Sequence, residues 1–229
     1  MQNRKDITAI VWDLDGTIIH FKINSTKARK ATIKILVNNG IDKKSLSIKR
    51  SILDNTNVSK KIFKQMGYSS GQINKIFKEV DKKISKIEHK AALNAKKIRG
   101  IEEVLLFAKK KSLKQAIYTF NKQRHAKISL EKVNLLNYFD VIIGRDNVQN
   151  PKPHPEHLLE ICDNLNVDPS EILVIGDNFR DIEGAINVGA RSIAVLTRLA
   201  KIETLQNADK IVEERDIPLK LIREIEKRL

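Results

Sequence analysis

The spacing of apolar and polar positions divides the chain into two kinds of segment. Residues 7–13, ITAIVWD, form a nearly unbroken apolar, β-branched run. Such a run predicts a strand buried on both faces. From residue 99 onward, amphipathic stretches alternate with short apolar ones. They predict helices over 101–111, 124–134, 155–165, 181–188 and 219–228, and strands over 115–119, 140–143, 172–175 and 192–196. Strands separated by helices argue a parallel sheet covered on both faces. The first strand has no partner of its own and must join that sheet.

Residues 20–95 differ in kind. They show no strand pattern and are rich in Lys, Ile and Asn. Asn24, Ser25 or Thr26 is placed to cap a helix over 27–38 that stops at Gly40. Further helices are predicted over 44–53, 59–66 and 70–96. In the last, Ile73, Ile76, Phe77, Val80, Ile84, Ile87 and Ala91 recur at three- and four-residue steps, the stripe of a core-facing helix. The expected organisation is a doubly wound, Rossmann-like α/β core over 1–19 and 96–229, with an all-helical cap inserted at 20–95.

Composition changes the picture in two places. The net charge is +15, and its distribution is uneven. Residues 20–95 hold 18 Lys and Arg against 5 Asp and Glu, the remainder 25 against 23. A basic segment attracts anions: phosphoesters, nucleic acid or acidic surfaces. The single cysteine, Cys162, lies on an apolar helix face and reads as buried filler in a reduced, cytoplasmic protein. No apolar run reaches the length of a membrane-spanning helix, and the polar start MQNRKD lacks a signal-peptide core.

Candidate chemistry gathers at strand ends. The first strand runs into Asp13-Leu-Asp15-Gly16-Thr17. Residues i and i+2 of an extended chain point the same way, so the two acids share a face. Like charges held that close call for a cation or a shared proton. In an open α/β fold ligands bind beyond the carboxyl ends of the strands. There stand Thr119-Phe-Asn121, a loop holding Pro151-Lys152-Pro153, and Gly176-Asp177-Asn178 with Asp181. His154 and His157 stand three apart but lack a third ligand for zinc. His89 and His125 read as surface, and Trp12 as core packing turned away from the acids.

In this order the motifs resemble those of the haloacid-dehalogenase superfamily of Asp-nucleophile hydrolases, in its phosphoglycolate-phosphatase-like branch. Asp13-x-Asp15-Gly16-Thr17 is similar to the first family motif, Thr119 to the second, Lys152 to the third, and Gly176-Asp177 with Asp181 to the fourth. The stretches 137–144 and 185–190 are similar to that branch too. The resemblance implies a Mg²⁺-dependent phosphatase of a small phosphorylated metabolite. Asp13 would attack phosphorus to form an aspartyl-phosphate. Asp15 would protonate the leaving group and then deprotonate water. Thr119, Lys152, the Gly16 backbone and Asn121 would hold phosphate oxygens. Asp13, the Asp15 carbonyl and Asp177 would ligate Mg²⁺, an ion suited to oxygen donors, with Asp181 orienting a water on it. The presence of Asp15 favours phosphate over halide chemistry, since a halide needs no proton to leave. A phosphosugar mutase or a pyrophosphatase on the same core stands as the alternative. A nucleic-acid-binding role for the basic segment lacks aromatic interleaving and zinc spacing.

Overall fold

The computed structural model describes residues 6–20, 25–198 and 200–229. They divide into two compact units, one of Met1–Lys22 with Ala92–Leu229, the other of Ile23–Ala91. Among the described residues, no helix is long and apolar enough to cross a membrane.

The first unit is built on β1 (Ala9–Trp12), β2 (Lys114–Tyr118), β3 (Val141–Ile143), β4 (Ile172–Gly176), β5 (Arg191–Leu196) and β6 (Lys210–Glu213). All five strand pairings are parallel, in the order β3-β2-β1-β4-β5-β6. This is a doubly wound sheet, as expected. Because successive side chains alternate between faces, each strand feeds two cores. On one face Ile10, Trp12, Ile117, Leu173, Ile175, Ile193 and Val195 pack with residues of three helices. Those are α4 (Ile101–Lys110), α5 (Gln123–Lys132) and α8 (Leu219–Glu226). On the other face Ala9, Val11, Ala116, Tyr118, Ile172 and Val174 meet α6 (Pro155–Leu165) and α7 (Phe179–Asn187). Cys162 is buried in that second core, and burial pushes its thiol up to about 11, well away from reactivity. Trp12 is enclosed in the first, its Nε1 donating to Gln115 Oε1 across 3.2 Å.

The strand order reverses between β1 and β4, the two central strands. The helices that next cover the sheet after these two strands, α4 and α7, lie on opposite faces. The crevice at such a reversal is where these sheets bind ligands.

Two expectations for this unit need correction. β6 is absent from the sequence reading, because a four-residue KIVE edge strand with an exposed lysine carries too short an apolar run. His125, expected at the surface, is buried on α5.

The second unit holds α1 (Ser25–Asn38), a 3₁₀ turn at Lys43–Ser45 and α2 (Ile52–Gln65); α3 (Ser70–Ala92) contributes nearly all its length. Its core joins Ile35, Leu36, Ile41, Leu46, Phe63, Ile73, Ile76 and Val80. Asn24, one candidate cap of α1, lies outside the described residues. The helix predicted over 44–53 is not formed. Ser51 caps α2 through a reciprocal bond with Asp54, so the helix starts at Ile52 and runs unbroken through the predicted start at residue 59. α3 stops at Ala92, four residues short of the expected end.

Candidate active site

The site grows out of the sheet ladder itself. Asp13 N–H donates to Ile175 O at 2.8 Å, extending the β1–β4 pairing one residue past the end of β1. The chain then folds back: Ile18 and Ile19 N–H both reach Leu14 O, and Gly16 N–H reaches Ile19 O at 2.7 Å. Gly16 sits at φ +94°, in the region L side chains avoid. Asp15, half-buried, leaves this turn toward β2.

Thr119 follows β2, its N–H donating to Ile143 O. Its hydroxyl accepts the Asn121 N–H at 3.1 Å, and Asn121 Nδ2 donates to Asp15 Oδ2 at 2.6 Å. The loop after β2 is thereby tied to the loop after β1.

Lys152 is 2% exposed, an uncommon place for an ammonium. All three of its protons are used: on Asp13 Oδ1 at 2.5 Å, Asp181 Oδ1 at 2.6 Å and Tyr118 O at 3.0 Å. Burial works against its charge, but the two carboxylates outweigh burial and hold the ammonium above the ordinary lysine range. The Tyr118 ring adds a face 4.5 Å below the nitrogen.

Two devices aim this lysine. Pro155 opens α6 directly after the loop, where its missing N–H costs nothing. The buried His157 accepts the Lys152 backbone N–H on Nδ1 at 3.3 Å. Its Nε2 therefore carries the proton and donates to Ile143 O at 3.1 Å. Sequence reasoning weighed His154 and His157 only as zinc ligands and missed this. His154 instead caps α6, accepting the Glu156 N–H.

Asp177 and Asp181 come from the start of α7. Asn178 and Asp181 form a capping box, so Asp181 Oδ2 takes the Asn178 N–H at 3.0 Å while Oδ1 faces Lys152. A Cβ on Gly176 would lie 2.3 Å from Asp181 Oδ2, which explains glycine at the end of β4. Asp177 Oδ2 accepts from Thr197 Oγ1 at 3.3 Å. Thr197, after β5, is a second residue that no sequence signal marked.

Asp13, Asp177 and Asp181 thus present carboxylate oxygens all within 4.8 Å of one another. Burial, with Asp181 and Asp177 adding to it, holds Asp13 well above the usual carboxylate range despite Lys152. Burial and then Asp181 push Asp177 up to about 7. One lysine does not balance three crowded acids. An all-oxygen donor set with surplus negative charge fits a hard divalent cation, which would relieve the repulsion.

A doubly wound sheet with an acidic, lysine-bridged centre at its switch point defines an α/β protein whose clustered carboxylates could hold a metal ion. The chain matches the model of the haloacid dehalogenase-like hydrolases over residues 10–195 and belongs to that family. It is 32% identical over 112 residues to the N-acetylmuramic acid 6-phosphate phosphatase of Pseudomonas putida, an alignment spanning 49% of this chain and 50% of that one. It is 26% identical over 226 residues to a Clostridium perfringens protein named "Putative pyrophosphatase PpaX", covering 96% of this chain and 98% of the other. The alignment covers half of the Pseudomonas putida protein's length and 44% of that of a phosphorylated carbohydrates phosphatase of Thermotoga maritima. Among solved structures, β-phosphoglucomutase from Clostridium difficile superposes with a TM-score of 0.69 at 22% identity, covering 96% of this chain and 97% of that one. CbbY from Rhodobacter sphaeroides, solved with phosphate, gives 0.62 at 19%, covering 90% and 93%. At these identities the structures speak for the fold.

Proposed function

We propose that this chain is a Mg²⁺-dependent phosphatase that hydrolyses a small phosphomonoester in the cytoplasm through an aspartyl-phosphate. The observation that carries the reading is the lysine-bridged acid cluster: Lys152 bonded to both Asp13 and Asp181, with Asp177 completing the group. Asp13 is the nucleophile; Lys152 orients it before substrate arrives, and a bound cation would favour its ionised form. Thr119 takes a phosphate oxygen, and Lys152 takes another by turning the proton it now gives to Tyr118 O. The Gly16 N–H stays on Ile19 O and is not a phosphate donor. Asp15 supplies and recovers the proton of the departing and attacking oxygens. Asp13, the Asp15 carbonyl and Asp177 would hold the cation, with Asp181 orienting a water beside it. When bound, Mg²⁺ supplies charge neutralisation, without which a carboxylate and a phosphate dianion repel. The helical unit acts as the cap that selects the substrate, and its excess of Lys and Arg favours one with a second anionic group.

A second reading, pyrophosphatase, draws on the near full-length similarity to the Clostridium perfringens protein. It uses the same residues. One experiment tests both: turnover of phosphoglycolate, glucose 6-phosphate, AMP, p-nitrophenyl phosphate and inorganic pyrophosphate with Mg²⁺, by the wild type and by Asp13→Asn. Metal-dependent ester hydrolysis lost in Asp13→Asn is expected. Preferential pyrophosphate turnover would select the second reading, and activity surviving Asp13→Asn would defeat both.

A further inference from the structure

The three acids of the centre are not held alike. The Asp13 carboxylate takes the Lys152 ammonium on Oδ1. Asp181 takes the same ammonium on Oδ1 and the Asn178 N–H on Oδ2. Asp177, one residue past β4, has no share in that ammonium, whose three protons are used elsewhere. Among the described residues, the donor its carboxylate meets is the Thr197 hydroxyl, 3.3 Å from Oδ2. Thr197 is built to keep that contact. It directly follows β5, which runs parallel to β4 with Ala194 opposite Gly176, so the two strand ends lie side by side. Thr197 is buried, and its Oγ1 accepts the Ala200 N–H at 3.2 Å. A hydroxyl has a single proton to give. With an N–H directed at the oxygen, that proton goes to Asp177.

We infer that Thr197 is a positioning residue for Asp177 and, through it, sets how tightly the acid cluster binds a divalent cation; this rests on the phosphatase reading above, in which Asp177 ligates Mg²⁺. The physical reason is rotational. The carboxylate of an aspartate turns about its terminal bond through a broad range of angles. A ligand that must first be fixed in one of those orientations binds its ion more weakly, and Mg²⁺ demands near-ideal octahedral geometry. A hydroxyl bonded to Oδ2 fixes the plane of the carboxylate before the ion arrives. Residues that orient metal ligands in this way are worth about 10–100-fold in metal affinity. The Thr197 methyl group has no part in it, so the effect follows the hydroxyl and not the size of the side chain.

Three substitutions separate hydroxyl from shape. Thr197→Val keeps the branched side chain and removes the hydroxyl. Thr197→Ser keeps the hydroxyl and removes the methyl group. Thr197→Ala removes both. Each variant, the wild type and Asp177→Asn are titrated calorimetrically with Mg²⁺ in the absence of substrate. Thr197→Val and Thr197→Ala are expected to bind Mg²⁺ about tenfold or more weakly than the wild type, with Thr197→Ser close to the wild type. A merely structural role would follow packing, and Thr197→Ser would then lose as much as Thr197→Val. That result, or equal affinity in the wild type and all three variants, overturns the inference alone. The hydroxyl is absent from two different shapes, so if one of them fails to fold the other decides against Thr197→Ser. A wild type that binds no Mg²⁺, or Asp177→Asn binding it as tightly as the wild type, overturns the metal assignment of the phosphatase reading and this inference with it.

Discussion

Gly16 closes directly on Asp177: a Cβ built on Gly16 would lie 2.1 Å from Asp177 Oδ2. Two loops leaving the two central strands are in contact here with no room for a methyl group. Gly16→Ala must displace either the turn that carries Asp13 and Asp15 or the Asp177 carboxylate. It also places a side chain at φ +94°, a strain of about 1–2 kcal/mol. The expected outcome is a modest fall in thermal stability and a fall in Mg²⁺ affinity of about 10–100-fold, the usual penalty for disturbing a ligand's support. Isothermal titration with Mg²⁺ beside a melting curve checks both. Unchanged affinity would mean that the ion does not bind beside Asp177.

Lys152 is a structural cation. Its ammonium separates Asp13 from Asp181, and both are buried. Lys152→Met preserves the aliphatic stem and removes the charge, leaving two carboxylates facing each other. Breaking a buried ion pair from one side costs about 3–5 kcal/mol. Metal-free Lys152→Met is therefore expected to unfold at markedly lower denaturant than the wild type. Because a divalent cation would supply the missing positive charge, Mg²⁺ should raise the midpoint of the variant more than that of the wild type. Equal rises in the two proteins would show that the ion and the lysine do not act on the same carboxylates.

The sheet was legible for physical reasons that hold residue by residue. The run from Ala9 to Trp12 has no polar position to expose, and it lies at the centre of the sheet. The helices after residue 99 carry apolar stripes matched to the two faces. Asp13, Lys152, Asp177 and Asp181 come together because each follows, or lies in a loop after, the carboxyl end of a parallel strand, and those ends lie on one edge. What stayed hidden depends on single side-chain contacts. Neither periodicity nor motif order indicates that His157 would bond the Lys152 backbone, that Thr197 would reach Asp177, or that Asn121 would reach Asp15. β6 was missed because its four residues are only half apolar. In the helical unit, charged lysines blur the stripe between residues 44 and 59, and a buried asparagine decides the local fold.

That asparagine is Asn55. Its Oδ1 accepts Ser47 N–H at 3.0 Å, and its Nδ2 donates to Ser47 O and Ser51 O, both at 2.9 Å. One side chain thus satisfies the backbone of a segment that would otherwise have continued as helix. Asn55→Ala leaves these groups unpaired around a buried position, at a cost of about 1–3 kcal/mol. The damage should stay in the helical unit. Amide exchange is expected to quicken around Ser47 and in the first turn of α2, while the amides of β1 and β4 keep their protection. Uniform loss of protection through the sheet would contradict this local role.

His157 gives the fold a pH dependence with a definite sign. It is neutral in the folded chain, because Nδ1 must accept the Lys152 N–H while Nε2–H donates to Ile143 O. Burial, with Lys152 adding to it against the bond to Ile143, lowers its pKa to about 4. The unfolded side chain titrates near 6.5, so between these values the unfolded chain binds the extra proton. The contribution of His157 is whole above about pH 6.5 and is lost as the pH falls toward 4, by about 3 kcal/mol in all and about 2 kcal/mol at pH 5. Asp177, raised to about 7, acts in the opposite direction, favouring the fold at lower pH. The comparison that isolates the histidine is therefore wild type against His157→Gln, each denatured at pH 5 and pH 7. The wild type should lose about 2 kcal/mol more than the variant between pH 7 and pH 5. If the two proteins respond to pH alike, His157 is not held neutral against the Lys152 loop.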